Sequence, residues 1–376
     1  MIGSKTLISF TVMVMLFLSC SCTKGTGGGD TTAGDTIQLK YARELELVRH
    51  DGYTVATVRN PWDTAAVLAR YILAADTMAA DRLPEGTVIR VPLKKSLVYS
   101  SVHMGLIDEL GADSAIAGVC DARFINLTNI KNKISSDSIT DCGSSMNPDI
   151  EKILHLMPDA ILLSPYESNT SNAKIEALGI PIVQCADYME SNPLARAEWM
   201  KFFGILYGAE SIADSIFQTT EAEYNDLKKI ASATKNRPSV IFDGLYGSQW
   251  YVPGKNSTAA TYIRDAGGSN PFDRYDIAGS MPLSAEQMLH QAHDAVFWFV
   301  RYAQSQPLTL TDHLQQNKVY PQFEAAKNNN VFGCNTMKIP LFDETPFHPQ
   351  WFLADIISII HPELGISSQH QYFKRL

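Results

Sequence analysis

Leu97-Val98-Tyr99-Ser100-Ser101 is a short apolar run that passes directly into a helical pattern at 102–110, and Ile116-Ala117-Gly118-Val119 starts the same cycle again. The rhythm continues with a helix around 150–156, the strand Ala160-Ile161-Leu162-Leu163-Ser164, a helix around 172–178 and the strand Ile180-Pro181-Ile182-Val183. Short apolar strands alternating with amphipathic helices imply a parallel sheet covered on both faces. One α/β lobe is expected over 96–192.

Toward the C-terminus, apolar residues recur at helical spacing: Trp199, Phe202, Phe203, Leu206, Ile212, Ile216, Phe217, Tyr224, Leu227 and Ile230. This predicts about forty residues of helix over 193–235, bent near Gly208, a rod long enough to bridge two lobes. Past Pro238 the alternation resumes with Val240-Ile241-Phe242-Asp243, Trp250-Tyr251-Val252, Ala295-Val296-Phe297-Trp298-Phe299 and Asn330-Val331-Phe332, and it closes on a helical pattern at 351–360. A second α/β lobe is expected over 236–376. On the other side, Glu44-Leu45-Glu46-Leu47-Val48 and Tyr53-Thr54-Val55-Ala56-Thr57-Val58 flank His50-Asp51-Gly52, a hairpin signature. Pro61, Pro84 and Pro92 punctuate further edge strands, so 37–95 reads as an extension. The expected fold is α/β: two lobes with central parallel sheets joined by one long spanning helix, plus an N-terminal β-hairpin extension.

The first residues belong to targeting. Lys5 precedes the apolar run 7–18, and Phe17-Leu18-Ser19-Cys20-Ser21-Cys22 places small residues directly before a cysteine, as in the lipobox of bacterial lipoproteins. A signal peptide over 1–19, lipidation at Cys20 with Cys22 as the alternative, and a flexible tether over 20–36 are expected. The anchor would hold the chain to a cell-envelope membrane on the periplasmic side. Cys120, Cys142, Cys185 and Cys334 contain no C-x-x-C pair, and buried thiols are expected, with a Cys120–Cys142 disulfide as the alternative.

With 31 basic against 40 acidic residues, the formal charge of -9 gives no electrostatic footprint for nucleic acid. Phosphate-loop, dinucleotide, nucleophile-elbow and H-E-x-x-H signatures are all missing from the sequence. His290 and His293 share a helix face without a third ligand and read as surface histidines. Arg196 and Glu198 read as ties between the long helix and a lobe, and Asp343, Glu344 and His348 carry no assigned function. No catalytic residue, resident metal or cofactor is expected.

A set of motifs gives the chain a family resemblance: Val98-Tyr99-Ser100-Ser101, Asp141-Cys142-Gly143, Asn147-Pro148-Asp149-Ile150-Glu151, Met157-Pro158-Asp159-Ala160-Ile161, Leu178-Gly179-Ile180-Pro181, Asp265-Ala266-Gly267-Gly268 and Leu283-Ser284-Ala285-Glu286. Their order resembles that of periplasmic solute-binding proteins of iron-chelate, haem and cobalamin importers, and Asn192 to Trp199 together with the C-terminal helix resemble the Bacteroidetes lipoprotein subgroup. The resemblance covers roughly Leu97 to the C-terminus and leaves the extension outside. It implies a ligand held between the lobes by loops at the carboxyl ends of the strands. Those loops carry Tyr99, His103, Arg123, Phe124, Tyr166, Glu167, Tyr188, Tyr246, Gln249 and Trp250, whose aromatic faces suit a macrocycle or catecholate, while Arg123 suits an anionic group. It also implies an ABC permease with its ATPase as partner, docking through Glu151 and Glu286, one per lobe.

The reading is a monomeric, non-enzymatic solute-binding lipoprotein that captures a metal chelate (a ferric siderophore or haem) or a corrinoid. A metal-assisted hydrolase on the same scaffold and a surface lipoprotein for protein or glycan contact stand as alternatives.

Overall fold

The computed structural model describes residues 34–63, 65–166 and 173–376. Cys20, Cys22 and Glu167 lie outside them. The extension is larger than a hairpin: β1 (Asp35–Ile37), β2 (Leu45–His50), β3 (Tyr53–Arg59), β4 (Val67–Ala74) and β5 (Thr87–Arg90) form one sheet in chain order. The pairs are antiparallel up to β4, and β5 joins it in parallel. The expected β2–β3 hairpin is its centre, with His50 opposite Tyr53 and Gly52 at the positive φ of 83° that the tight turn requires.

The first lobe runs β6 (Ser96–Val98), α1 (Ser101–Glu109), β7 (Ile116–Val119), α2 (Thr128–Ser135), β8 (Thr140–Asp141), the small ribbon β9 (Gly143–Ser144) and β10 (Asn147–Pro148), α3 (Ile150–Leu156), β11 (Ala160–Leu163), α4 (Ala173–Glu176) and β12 (Ile182–Gln184). Its main sheet has the order β12-β11-β6-β7-β8, and every neighbouring pair is parallel. Strand order reverses between β6 and β11, which opens a crevice outside their carboxyl ends.

The forty-residue rod is in fact three helices. Asn192 caps α5 (Pro193–Glu198) by accepting the Leu194 and Ala195 N–H groups; α6 (Met200–Tyr207) ends on Gly208 at φ 68°; and α7 (Glu210–Ser232) follows. The periodicity carries through the breaks because all three helices keep an apolar face inward. α7 spans the lobes: Ala213 and Phe217 pack in the first core, Tyr224 and Ala231 in the second. Its 23 residues reach about 34 Å, the length such a bridge needs.

The second lobe comprises β13 (Val240–Phe242), β14 (Leu245–Tyr246), β15 (Gln249–Pro253), α8 (Thr258–Asp265), β16 (Ser280–Leu283), α9 (Ala285–Ala292), β17 (Phe297–Tyr302), α10 (Leu310–Gln315), α11 (Glu324–Lys327), β18 (Val331–Asn335), α12 (Leu341–Glu344), α13 (Pro349–Ile360) and β19 (Lys374–Arg375). β13, β17 and β18 are parallel, β19 closes the edge antiparallel, and β14-β15-β16 form a separate antiparallel meander.

Two buried carboxylates fasten the extension to the first lobe. Glu198 accepts the backbone N–H groups of Lys40, Tyr41 and Ala42 at 2.9, 2.7 and 3.0 Å. Glu190 accepts those of Arg43 and Glu44 and the Trp199 indole N–H at 2.9, 3.0 and 3.0 Å. Burial pushes the Glu190 carboxyl above its usual range, against the pull of these donors. The Tyr71 hydroxyl donates to the Ile182 carbonyl and accepts the Gln184 N–H, joining β4 to the edge of the parallel sheet. Glu198 thus ties α5 to the extension, where its sequence context pointed to a tie between the long helix and a lobe. All four described cysteines are buried free thiols.

Candidate functional site

A cavity of about 310 Å³ opens between the lobes. Val102 of α1 lines it from the first lobe, Pro193 and Arg196 from α5, and Phe242, Tyr262, Arg301 and Phe342 are among its second-lobe walls. These residues converge because α5 packs against α8, and because β13 and β17 end side by side, bringing Phe242 opposite Phe299 two residues before Arg301.

Two guanidinium groups dominate its chemistry. Arg301 is held by Asp243, its Nε donating to Oδ1 at 2.8 Å and Nη2 donating to Oδ2. Its plane lies near the Phe242 and Phe342 rings, 5.9 and 5.6 Å from their centroids. Asp243 sits at φ 59°, a left-handed backbone conformation uncommon outside glycine, directly at the end of β13. Arg196 is held in the same manner by the buried Asp187, its Nε donating to Oδ2 at 3.0 Å, while His103 Nε2 donates to Oδ1 at 2.8 Å. Burial alone would raise the Asp187 carboxyl; the charges and hydrogen bonds of His103 and Arg196 outweigh it and hold it below the usual range. Among the described residues, both terminal nitrogens of Arg196, Nη1 of Arg301 and the Tyr262 hydroxyl lack hydrogen-bond partners. All three residues line the cavity.

Contacts around the cavity tie the lobes together. Ser101 of α1 donates to Asp343 of α12, His348 Nε2 lies 2.7 Å from Glu109, and Thr258 donates to the Glu190 carbonyl at 3.1 Å. Burial raises the Asp343 carboxyl, against the Ser101 bond.

The residues singled out from sequence take other positions, and none of the described ones lines this cavity. His103 is fully buried against Phe203 and Phe347, so it acts behind Arg196 and has no ligand-facing surface. Trp250 is also fully buried: its indole N–H donates to the Phe242 carbonyl at 2.8 Å and its ring packs on Trp298 and Tyr320. It is a core residue of the second lobe, and the expectation of a ligand contact is corrected. Tyr99 follows β6 half-buried, its hydroxyl enclosed without a partner. Burial, with Cys120 beside it, pushes its pKa upward. Arg123 stacks on Phe124 at 4.5 Å, and that ring is 64% exposed. Tyr166 and Tyr188 form an aromatic pair 6.3 Å apart, Tyr188 donating to the Pro165 carbonyl. Tyr246 is 84% exposed at the β14–β15 turn, and Gln249 is half-buried beyond it.

Sequence reading missed Arg301, Asp243, Tyr262 and Phe342, and took Arg196 as purely structural. The available signal was a charged residue closing an apolar strand, once at Asp243 after β13 and once at Arg301 within β17. No group of three His, Cys, Asp or Glu side chains able to hold a metal occurs among the described residues.

Residues 98–336 match the model of the periplasmic binding protein family, and the chain belongs to that family. An uncharacterised lipoprotein of Methanocaldococcus jannaschii is 29% identical over 365 residues, covering 89% of this chain and 84% of that protein. A petrobactin-binding protein of Bacillus subtilis is 32% identical over 252 residues, covering 65% and 76%. In fold, the chain is similar to the periplasmic haem-binding protein HutB of Vibrio cholerae, with a TM-score of 0.57 and 18% identity over 72% of this chain and all of that one. The matched region starts at the end of β6, so the extension lies before it.

Proposed function

We propose that this protein is the ligand-capturing lipoprotein of an ABC importer, taking up a metal chelate (a ferric siderophore or haem) or a corrinoid and delivering it to an inner-membrane permease. The observation that carries this reading is the inter-lobe cavity with unpaired cationic donors, in a chain of the periplasmic binding protein family whose relatives include a petrobactin-binding protein. The metal would arrive as cargo inside its chelate. Cys20 would carry the lipid that anchors the chain, and mass spectrometry of the mature N-terminus reads that directly.

Glu151 and Glu286 would meet the permease. Each stands exposed in the first turn of a helix whose cap is already made by other residues: Asp149 accepts the Lys152 N–H in α3, and Ser284 with Gln287 forms a capping box in α9. Neither glutamate is engaged in a hydrogen bond among the described residues, which leaves both charges free for a partner.

Isothermal titration of the purified chain with haem, cyanocobalamin and ferric siderophores tests the reading. At least one ligand is expected to bind with micromolar affinity or better; no binder in this set would contradict it.

A further inference from the structure

A groove of about 330 Å³ lies between α7, α13 and the C-terminal segment 366–370, and it shares no lining residue with the inter-lobe cavity. We propose that it is a second binding site whose ligand is a small organic cation, a primary ammonium group on an apolar stem. Pockets for organic ligands begin near this size. Leu227 and Ile230 of α7, Ala354 of α13 and Ile366 give the groove an apolar body for the stem.

The polar groups around that body are acceptors without donors. Glu223 and Asp226 stand on one face of α7, exposed, and neither enters an ion pair or hydrogen bond among the described residues. No lysine or arginine lines the groove, so this pair of charges is uncompensated. Gln350, in the first turn of α13, also lines it; the residue is only 4% exposed, and its Oε1 has no hydrogen-bond partner. A buried amide left unpaired is costly, and the broad terminal torsion of a glutamine lets its oxygen turn toward a guest. Residues 366–369 make no backbone hydrogen bonds among the described residues, which frees further carbonyl oxygens. An ammonium group donates several hydrogen bonds, and here it meets carboxylates on the α7 side and neutral oxygens on the other.

Trp351 decides which kind of cation fits. Its ring is stacked between those of His348 and His370, each centroid 3.9 Å away, at interplanar angles of 9° and 7°. Both indole faces are covered, so the groove meets only its edge. A quaternary ammonium is recognised by open aromatic faces and has no N–H to donate, whereas a primary ammonium uses the acceptors present.

Isothermal titration of the full mature chain with hexylammonium, phenethylammonium, their N-trimethylated counterparts, hexanol and hexanoate tests the site. At least one primary ammonium is expected to bind with a Kd below about 1 mM, and its trimethylated form about tenfold or more weaker. Hexanol should bind more weakly still and hexanoate not at all, and the affinity of the amine should fall as salt rises. Glu223→Gln combined with Asp226→Asn, both on an exposed helix face, should weaken the amine about tenfold at an unchanged melting temperature. Gln350→Leu should weaken it about threefold or more while the melting temperature holds or rises, because an unpaired buried amide has been removed. If that variant fails to fold, the exposed double variant still decides. Binding of neither primary ammonium, equal or tighter binding of the trimethylated forms or of hexanoate, or undiminished amine binding in the double variant would overturn the proposal.

Discussion

Asp355 of α13 is a buried carboxyl that holds the C-terminal segment, its Oδ2 accepting the N–H groups of Tyr372 and Phe373 at 3.1 and 2.9 Å. Burial pushes its pKa up to about 7, and the two backbone donors only partly oppose the shift. An unfolded aspartate titrates near 3.9, so the native state binds this proton more tightly. The stability it confers is fully present below about pH 4 and is lost as pH rises through about 7, an effect on the order of 4 kcal/mol at about 1.4 kcal/mol per unit. Asp355→Asn keeps an acceptor for both donors without the charge. Its melting temperature relative to the natural protein is expected to climb between pH 5 and pH 8; parallel melting curves would contradict this. The same scale shows what a sequence hides. Trp250 follows the two-residue period of β15, inward with Val252 while Tyr251 is exposed, and that alternation identifies it as core. The pairing of Arg196 with Asp187, by contrast, depends on a 3-10 turn and a helix start meeting in space, which no spacing rule encodes.

The α6–α7 corner is sensitive to a small change. A Cβ at Gly204 would stand 2.8 Å from the Ala213 Cβ and 3.1 Å from the Glu210 Cα, so the two helices meet at this distance only over a glycine. Gly204→Val is expected to cost about 1–3 kcal/mol of stability by forcing them apart, measurable by denaturant unfolding; unchanged stability would show that the corner adjusts freely. This corner is also where sequence reading ran out. The apolar period gave the spanning helix and the bend at Gly208, but the break at Trp199 leaves no mark because both flanking helices share a buried face. The parallel sheets were plain for the opposite reason: strands buried on both faces are uninterrupted apolar runs, and only the charged residues at their carboxyl ends, Asp243 and Arg301, went unread.

Across the whole molecule, the two lobes, the helix α7 and the added sheet make one body with a cavity at its waist and a glutamate exposed on each lobe. If those glutamates dock the permease, reversing both with Glu151→Lys and Glu286→Lys should reduce transport strongly while ligand affinity and melting temperature change little, because rim charges act on encounter and register. Transport at the natural rate would remove the docking role, and a large fall in melting temperature would return both residues to helix stabilisation. The position of the ligand is the central claim, and hydrogen–deuterium exchange of the purified chain with and without a saturating ferric tris-catecholate tests it most directly. Protection is predicted together in α5 around Arg196, in α8 around Tyr262, at the end of β17 around Arg301 and in α12, drawn from both sides of the cavity. Protection confined to one lobe away from these segments, or located instead along a surface groove that Leu227 and Ile230 of α7 line together with Trp351 and Ala354 of α13, would contradict it.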